Sequence, residues 1–254
     1  MAALKFIFII LLGTFLSGEV IRIDLANNIS IKPVDITAII LLLVWILGIK
    51  NHIRNIKSDS LFVPTILVVM IMCVSLVVNF RYFTDNEILV GLSYIARWAL
   101  YASLYFVVKS FPSDFKRKIL HLLLIAGGLF TFFGFIQYFL YSNLRNLYYL
   151  GWDEHMHRMF STFLDPNFAG AFFVLYLSLL LGMLLYLLNN NKVKQVRFIG
   201  FISIFSLISI FLTYSRSALI MLLAATVIFC ILAKKIRWIF AILLISIIFI
   251  IISS

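Results

Sequence analysis

Long apolar segments recur along this chain, separated by short polar ones, and this pattern constrains the fold more than any other feature. A helix needs roughly 20 apolar residues to cross about 30 Å of hydrocarbon. Only 12% of the residues are charged and the mean hydropathy is +1.12, which excludes a water-soluble domain. The sequence therefore predicts an all-α polytopic membrane protein, with residues 1–254 forming a single transmembrane domain of about nine helices. The predicted spans lie near 4–18, 34–49, 61–80, 88–108, 118–141, 166–188, 197–214, 217–233 and 237–252.

Simple constraints fix two details of this arrangement. The first segment has the length of a secretory signal, but it lacks an A-x-A cleavage site and many apolar segments follow it, so we interpret it as an uncleaved span. The segments 197–214 and 217–233 would exceed about 50 Å if they formed one helix. The chain must therefore fold back between them, at "TYSRS", residues 213–217.

Basic residues are concentrated in every second polar segment. Clusters such as Lys116, Arg117 and Lys118 alternate with segments that contain most of the acidic residues. Positively charged loops stay on the cytoplasmic side of a membrane, so the pattern predicts a cytoplasmic N-terminus, an outer C-terminal end and a main outer loop at 142–165. The net charge of +11 reflects this orientation. Because the basic residues form no continuous patch, the charge gives no support to nucleic-acid binding.

An arginine inside a predicted span needs a partner or a function, because a charge in a bilayer is costly. Arg97 lies near the middle of segment 88–108. It either lines a substrate groove or forms a buried ion pair that fixes helix packing, for example with Asp35. The sequence leaves both interpretations open. The tyrosines that share its helical face are Tyr94, Tyr101 and Tyr105.

Two further arginines belong to predicted outer connections. Arg216, in "LTYSRSALI", either reaches the lipid headgroups or is held at a fixed depth as part of an anion site. Arg158 precedes "MFSTFLDPNFAGAFF", in which Asp165 and Pro166 predict the N-cap and first turn of a helix. Arg158 is two turns upstream of that helix N-terminus, whose N–H groups favour anions. Since arginine suits bidentate contact with phosphate oxygens, these residues predict a site for a lipid diphosphate.

The remaining polar candidates carry weaker signals. Arg81 is close in sequence to two acidic residues that can neutralise it. His155 and His157 could bind a metal together with a neighbouring carboxylate, but no third ligand follows at metal-site spacing. The two cysteines lie far apart in separate apolar segments. We therefore predict no metal and no cofactor. The aromatic residues around Trp152 are typical of a membrane interface.

Three stretches of the sequence resemble motifs of one bacterial family. "RMFSTFLDPNFAGAFFVLYLSLLL" (158–181) resembles the Arg…Gly/Ser-x-Phe-x-x-Pro-Asn-x-x-Ala pattern of the O-antigen ligase and O-antigen polymerase family. "LTYSRSALIMLL" (212–223) is similar to its Ser-Arg-x-Ala/Gly signature at the outer end of a span. "ARWALYASLYFVV" (96–108) resembles its arginine-bearing fourth span. The three motifs occur in the family's order and at about its spacing.

The resemblance implies both a function and a location. Members are multi-pass glycosyltransferases of the bacterial inner (cytoplasmic) membrane. They transfer a glycan from undecaprenyl diphosphate to an acceptor hydroxyl outside the cytoplasm, without a nucleotide sugar or a metal ion. The implied partners are the undecaprenyl-diphosphate-linked glycan, an acceptor glycolipid or glycan, and membrane lipids. By motif, Arg158 and Arg216 would contact the diphosphate, Arg97 would support that site or the glycan, and Asn167 would help to shape it.

The sequence departs from the family pattern at its C-terminal end. Members have a large outer loop after the ninth or tenth span, with a histidine proposed as the base toward the acceptor hydroxyl. The sequence ends at Ser254, where that loop is expected, so the resemblance covers about the N-terminal two-thirds of a member. We interpret the chain as truncated and expect the catalytic histidine beyond Ser254.

Other functions remain open at this point. The chain is alternatively a transporter of a small anion or of the lipid-linked glycan, or a non-catalytic fragment that binds the lipid carrier. Transport is disfavoured because the four prolines lie at or near predicted span ends and no internal repeat is evident. The resemblance does not decide between ligation, polymerisation and protein glycosylation.

Overall fold

The computed structural model describes residues 1–24, 29–48 and 59–232, and this part of the chain is mostly helical. A helix occupies each of the first eight predicted segments, with ends that agree to within a few residues. The ninth segment, 237–252, lies outside the described residues. The α-helices are α1 (Ala2–Phe15), α2 (Pro33–Leu47), α3 (Phe62–Val78), α4 (Asp85–Ser110), α5 (Ser113–Leu140), α6 (Pro166–Asn189), α7 (Val193–Leu212) and α8 (Arg216–Leu232). Short 3₁₀ helices lie at Phe80–Tyr82, Arg145–Leu150 and Ser161–Phe163.

Helix length separates the described helices into two groups. By length and composition, α4, α5, α6 and α7 are long and apolar enough to cross a membrane. The helices α1, α2, α3 and α8 are apolar but have only 14, 15, 17 and 17 residues. The chain is therefore a helical membrane protein.

One pair of short strands was not predicted. The strands β1 (Ile23–Asp24) and β2 (Ser30–Ile31) pair antiparallel, with Ile23 opposite Ile31. Each strand has only two residues, which is too short for an alternating apolar pattern to show in the sequence. The all-α prediction holds apart from this pair.

The chain divides after Leu122, inside α5, into two compact units, which are described separately. In the first unit, three phenylalanine rings pack edge to face, with ring centroids 4.9 to 6.3 Å apart. One belongs to α1, one to the turn between α4 and α5, and one to the first turn of α5. Trp45 of α2 donates from Nε1 to Ser110 Oγ of α4 at 3.1 Å. The helix α3 packs against α4, and none of its residues is buried. The three phenylalanines are Phe8, Phe111 and Phe115.

In the second unit, small residues bring α6 close to α7 and α8. Ser206 of α7 is fully buried and donates from Oγ to Phe173 O of α6 at 3.3 Å. A Cβ atom built on Gly170 of α6 would lie 2.5 Å from Ala218 Cβ of α8, so glycine is required for this close approach. The packing places the first turn of α6 beside the hairpin that precedes α8, which is where the candidate site lies.

Candidate functional site

Two connections of the second unit meet at one end of its helices. The segment 142–165 joins α5 to α6, and the hairpin 213–215 joins α7 to α8. Met159 N donates to Leu212 O at 2.8 Å, which connects the segment to the end of α7. We call this region the loop end. The predicted break at "TYSRS" is confirmed, because α7 ends at Leu212 and α8 begins at Arg216.

Arg158 lies between the two connections. Its Nε donates to Thr213 O at 2.8 Å and its Nη2 donates to Tyr214 O at 3.3 Å. Among the described residues, no carboxylate lies within ion-pair distance of its guanidinium group. Partial burial lowers the pKa of Arg158, and the charge of Asp165 partly offsets that effect. Since arginine stays protonated in proteins, the loop end keeps a positive charge, whose hydrogen bonds to the described residues are made to carbonyl oxygens.

Gln137 of α5 connects that helix to the segment that bears Arg158. Its side chain is buried, with 8% of the residue's surface exposed. Oε1 accepts hydrogen bonds from Phe160 N at 2.8 Å and Ser161 N at 3.1 Å. Nε2 donates to Tyr141 O at 2.9 Å and to Arg158 O at 3.2 Å. Gln137 was not among the predicted candidates, although an isolated amide in the apolar run "FGFIQYFL" was a signal.

The backbone of the loop end is conformationally strained. Left-handed φ angles are sparsely populated by residues other than glycine, and such strain concentrates at functional sites. Among the described non-glycine residues, only Asn191 adopts one elsewhere. The residues at the loop end with left-handed φ are His155 (43°), His157 (50°), Ser161 (50°), Leu164 (56°) and Tyr214 (50°).

The start of α6 is capped as predicted. Asp165 accepts hydrogen bonds at Oδ1 from Asn167 N at 2.6 Å and Phe168 N at 3.1 Å, and Pro166 occupies the first helical position. The carboxylate therefore already satisfies the N–H groups of this first turn. The expectation that Arg158 lies beside free N–H groups of this helix is wrong for that reason.

The start of α8 differs, because part of its first turn is uncapped. Ser215 Oγ accepts a hydrogen bond from Ala218 N at 3.3 Å. The backbone N–H groups of Arg216 and Ser217 donate to no atom of the described residues. The Arg216 side chain is exposed, and within the same part of the chain its guanidinium group has no partner. The free helix N-terminus at the loop end is therefore that of α8.

Asn167 connects the first turn of α6 to the hairpin. Its Oδ1 accepts a hydrogen bond from Ser215 Oγ at 2.8 Å, and Ser215 Oγ lies 2.9 Å from Ser217 Oγ. Ser215 is fully buried, whereas Asn167 is exposed. The second unit thus brings Arg158, Asn167 and the hairpin before Arg216 into one network. The order of the motifs along the sequence did not by itself predict these contacts.

Arg97 belongs to a different network, in the first unit. Its Nε and Nη2 donate to the two carboxylate oxygens of Asp35 at 3.2 and 3.1 Å, and Nη2 also donates to Ser30 O at 2.6 Å. The hydroxyl of Tyr101 donates to the same carboxylate. Of the two interpretations left open by the sequence, the packing ion pair with Asp35 is the one present in the structure. The charge of Arg97 is therefore compensated.

The two histidines lie in the segment 142–165 and differ in burial. His155 is half-buried and His157 is exposed. Burial lowers the pKa of His155, as does the charge of Arg158, while Asp165 and Asp153 oppose the shift. In the described ranges, no three side chains of the His, Cys, Asp and Glu types lie together as a metal site requires.

The remaining charged and aromatic candidates lie on exposed surfaces. Arg81 is exposed and belongs to none of the ion pairs among the described residues. Arg145 Nε lies 3.0 Å from Glu154 Oε2, with both side chains about half exposed. The side chains of Tyr148 and Tyr149 are also exposed. This arrangement agrees with an interfacial location for the segment.

An apolar cleft of about 350 Å³ lies between α6 and α8. Its two hydroxyl groups, on Ser178 and Thr226, donate to carbonyls of their own helices, so the lining offers apolar contacts. Leu177 is about 17 Å along the axis from Pro166, at about 1.5 Å per residue. The cleft therefore follows the same two helices whose first turns form the loop end. Its apolar lining residues are Leu177, Leu181, Leu222, Ala225, Ile228, Phe229 and Leu232.

No protein-family model matches the chain, and searches of curated proteins and of solved structures find no match either. The family resemblance therefore rests on the three sequence motifs alone.

Proposed function

We propose that the chain is a glycosyltransferase similar to O-antigen ligases and polymerases, acting at the outer face of the bacterial cytoplasmic membrane. Its donor is a glycan linked to undecaprenyl diphosphate. Its acceptor is a hydroxyl group of a glycolipid or glycan, in the synthesis of cell-surface polysaccharide. The observation that carries the proposal is the cation at the loop end: Arg158 is oriented by two carbonyl oxygens and has no carboxylate partner among the described residues.

The groups at the loop end suit a diphosphate. Arg158 and Arg216 form no ion pair with a carboxylate of the described residues. The N–H groups of Arg216 and Ser217 lie at a helix N-terminus with no described acceptor. Both features favour phosphate oxygens. Asn167 supports the hairpin through its hydrogen bond from Ser215.

The proposed transfer exchanges one bond to the anomeric carbon of the glycan. The acceptor oxygen bonds to that carbon, and the bond between the carbon and the phosphate oxygen breaks. The electron pair leaves with undecaprenyl diphosphate, whose added negative charge Arg158 and Arg216 stabilise. The acceptor proton passes to a base, and the resemblance implies a histidine of an outer loop for that role. We assign no base among the described residues.

The apolar cleft between α6 and α8 supports a donor with a long hydrocarbon chain. A lipid diphosphate has a charged head and an apolar tail. The cleft follows the two helices whose first turns bear the cationic groups. We propose that the head binds at the loop end and that the tail lies along these helices.

We further propose nine membrane crossings, with the N-terminus in the cytoplasm and the loop end outside. The helices of 14 to 17 residues are short for a span. Short spans are accommodated by local thinning of the bilayer. In this arrangement Arg97 stabilises the packing of α4 against α2, since its described partners are protein atoms.

Binding of undecaprenyl diphosphate to the chain in lipid nanodiscs tests the proposal. We expect Arg158→Gln and Arg216→Gln each to weaken binding about tenfold, because each removes a charge-assisted contact to phosphate. Arg145→Gln serves as a matched control: it changes an arginine of the same loop that is paired with Glu154. Consumption of the lipid-linked glycan extends the test to catalysis.

Two results would contradict the proposal. Unchanged binding and turnover in both arginine variants would exclude a diphosphate at the loop end. Uptake of labelled phosphate into proteoliposomes, absent from protein-free controls and lost in Arg158→Gln, would instead indicate transport.

A further inference from the structure

From the hydrogen bonds of the loop end, we propose that Gln137 is a positioning residue that sets the geometry of Arg158 toward its anionic ligand. The inference rests on the proposed function for the identity of the ligand. The contacts of Gln137 themselves are independent of that function.

Residue 158 is oriented from two sides. Its guanidinium group donates to the carbonyls of the hairpin, while its own carbonyl accepts a hydrogen bond from Gln137 Nε2. The next backbone group, Met159 N, donates to Leu212 O. The backbone of Arg158 therefore has little freedom to rotate, and its side chain leaves the segment in a fixed direction.

Gln137 also supports the strained conformation that follows Arg158. Its Oε1 accepts from two successive N–H groups, those of Phe160 and Ser161. Ser161 has a φ of 50°, and both residues are buried, with exposures of 0% and 3%. Buried N–H groups need an acceptor. Without this oxygen, two buried N–H groups would be unsatisfied and the left-handed turn would be less stable.

Glutamine is the one side chain of this length that meets all four demands. It accepts twice at Oε1 and donates twice from Nε2. Methionine fills a similar volume with no strong hydrogen bond. An ionised glutamate accepts but cannot donate to Tyr141 O or Arg158 O. When protonated, a glutamate regains one donor.

Two variants and one control test the inference in nanodiscs, with undecaprenyl diphosphate as the probe. We expect Gln137→Met to weaken binding about tenfold. We also expect faster amide hydrogen exchange at Phe160 and Ser161, while the exchange of Leu177 and Leu180 in α6 stays unchanged. Thr131→Val is the matched control, because Thr131 is buried on the same helix but donates only to Gly127 O of its own helix.

Gln137→Glu provides a readout that a purely structural defect would not produce. Burial raises the pKa of a carboxyl group, so acidification returns this glutamate to a neutral form that donates. We expect the affinity of Gln137→Glu, relative to the wild type at the same pH, to recover as the pH falls. The affinity of Gln137→Met relative to the wild type should stay constant. This comparison remains informative if Gln137→Met fails to fold.

The outcomes separate this inference from the proposed function. If the wild type binds the probe and Gln137→Met binds it equally well, Gln137 has no positioning role and the proposed function stands. If the wild type does not bind the probe, the proposed function fails. In that case the exchange rates of the Phe160 and Ser161 amides still decide whether Gln137 fixes the segment: unchanged rates in Gln137→Met would overturn that role as well.

Discussion

Two arginine networks, one in each unit of the chain, use the same side chain in opposite ways. In the first unit, both carboxylate oxygens of Asp35 compensate the charge of Arg97. In the second unit, the guanidinium group of Arg158 donates only to backbone carbonyls in the described part of the chain. Carbonyl oxygens orient a guanidinium group without neutralising it. The first network is therefore closed to an anion, and the second is open to one.

The difference shows why a motif cannot assign a role to an arginine by itself. All three arginines of the family motifs were candidates for substrate contact. Arg97 lies in an apolar helix, where an unpaired charge is most costly, and it has a buried carboxylate partner. Arg158 lies in the segment between α5 and α6, and Arg216 is the first residue of α8, so both are outside the apolar interiors of the helices. An unpaired charge costs less there than it would at the position of Arg97.

The largest expected effect comes from opening the closed network. Asp35→Asn removes the charge that compensates Arg97, whose side chain is only 24% exposed. We expect it to lower the free energy of unfolding by about 3 kcal/mol, because a partly buried cation is left unpaired. Equilibrium unfolding in mixed micelles measures this change.

A second variant separates the loss of the pair from the cost of the unpaired charge. Asp35→Leu combined with Arg97→Met removes both charges, and we expect it to be closer to the wild type than Asp35→Asn is. If Asp35→Asn had the same free energy of unfolding as the wild type, the ion pair would not stabilise the first unit. The contrast between the two networks would then lose its physical basis.

The positions of the helices were predictable because the signals for them are local. Apolar length, the Asp165–Pro166 start of α6 and the break at "TYSRS" each depend on a few consecutive residues. The ion pair of Arg97 with Asp35 was predictable as an alternative, since a buried arginine requires an acid and few acids lie within spans.

The contacts of the candidate site were not predictable, because they join backbone groups far apart in sequence. Arg158 and Thr213 are separated by 55 positions, and a carbonyl oxygen leaves no mark on the sequence. The free helix N-terminus was assigned to α6, but Asp165 caps that helix and the free groups belong to α8. For Gln137, the isolated polar residue was visible, but its four partners were not.

A smaller effect on stability is expected when acidification protonates His155, which lies near the open network. The pKa of His155 lies below its ordinary value of 6.5, because of burial first and Arg158 second. The unfolded chain therefore binds a proton at a higher pH than the folded chain does. This contribution to stability is fully present above pH 6.5 and is lost as the pH falls from 6.5 through the pKa of the folded state. Thermal unfolding at a series of pH values measures it.

The two histidines of the segment provide the control for that pH dependence. His155→Gln should flatten the loss of stability below pH 6.5, and His157→Gln, which replaces an exposed side chain of the same segment, is the matched control. An equal effect of both substitutions would show that the general charge of the segment, and not the burial of His155 near Arg158, controls the stability of the loop end.

The smallest effect is expected from an arginine that is close to the open network but already paired. Arg145 and Glu154 form an ion pair with side-chain exposures of 60% and 45%. Exposed pairs contribute about 0 to 1 kcal/mol, so Arg145→Gln should change the free energy of unfolding by less than about 1 kcal/mol. Its binding of undecaprenyl diphosphate should equal that of the wild type. Weakened binding in this variant would mean that any positive charge in segment 142–165 attracts the ligand. The site would then be a diffuse cationic surface, and the fixed orientation of Arg158 by carbonyl oxygens would no longer explain it.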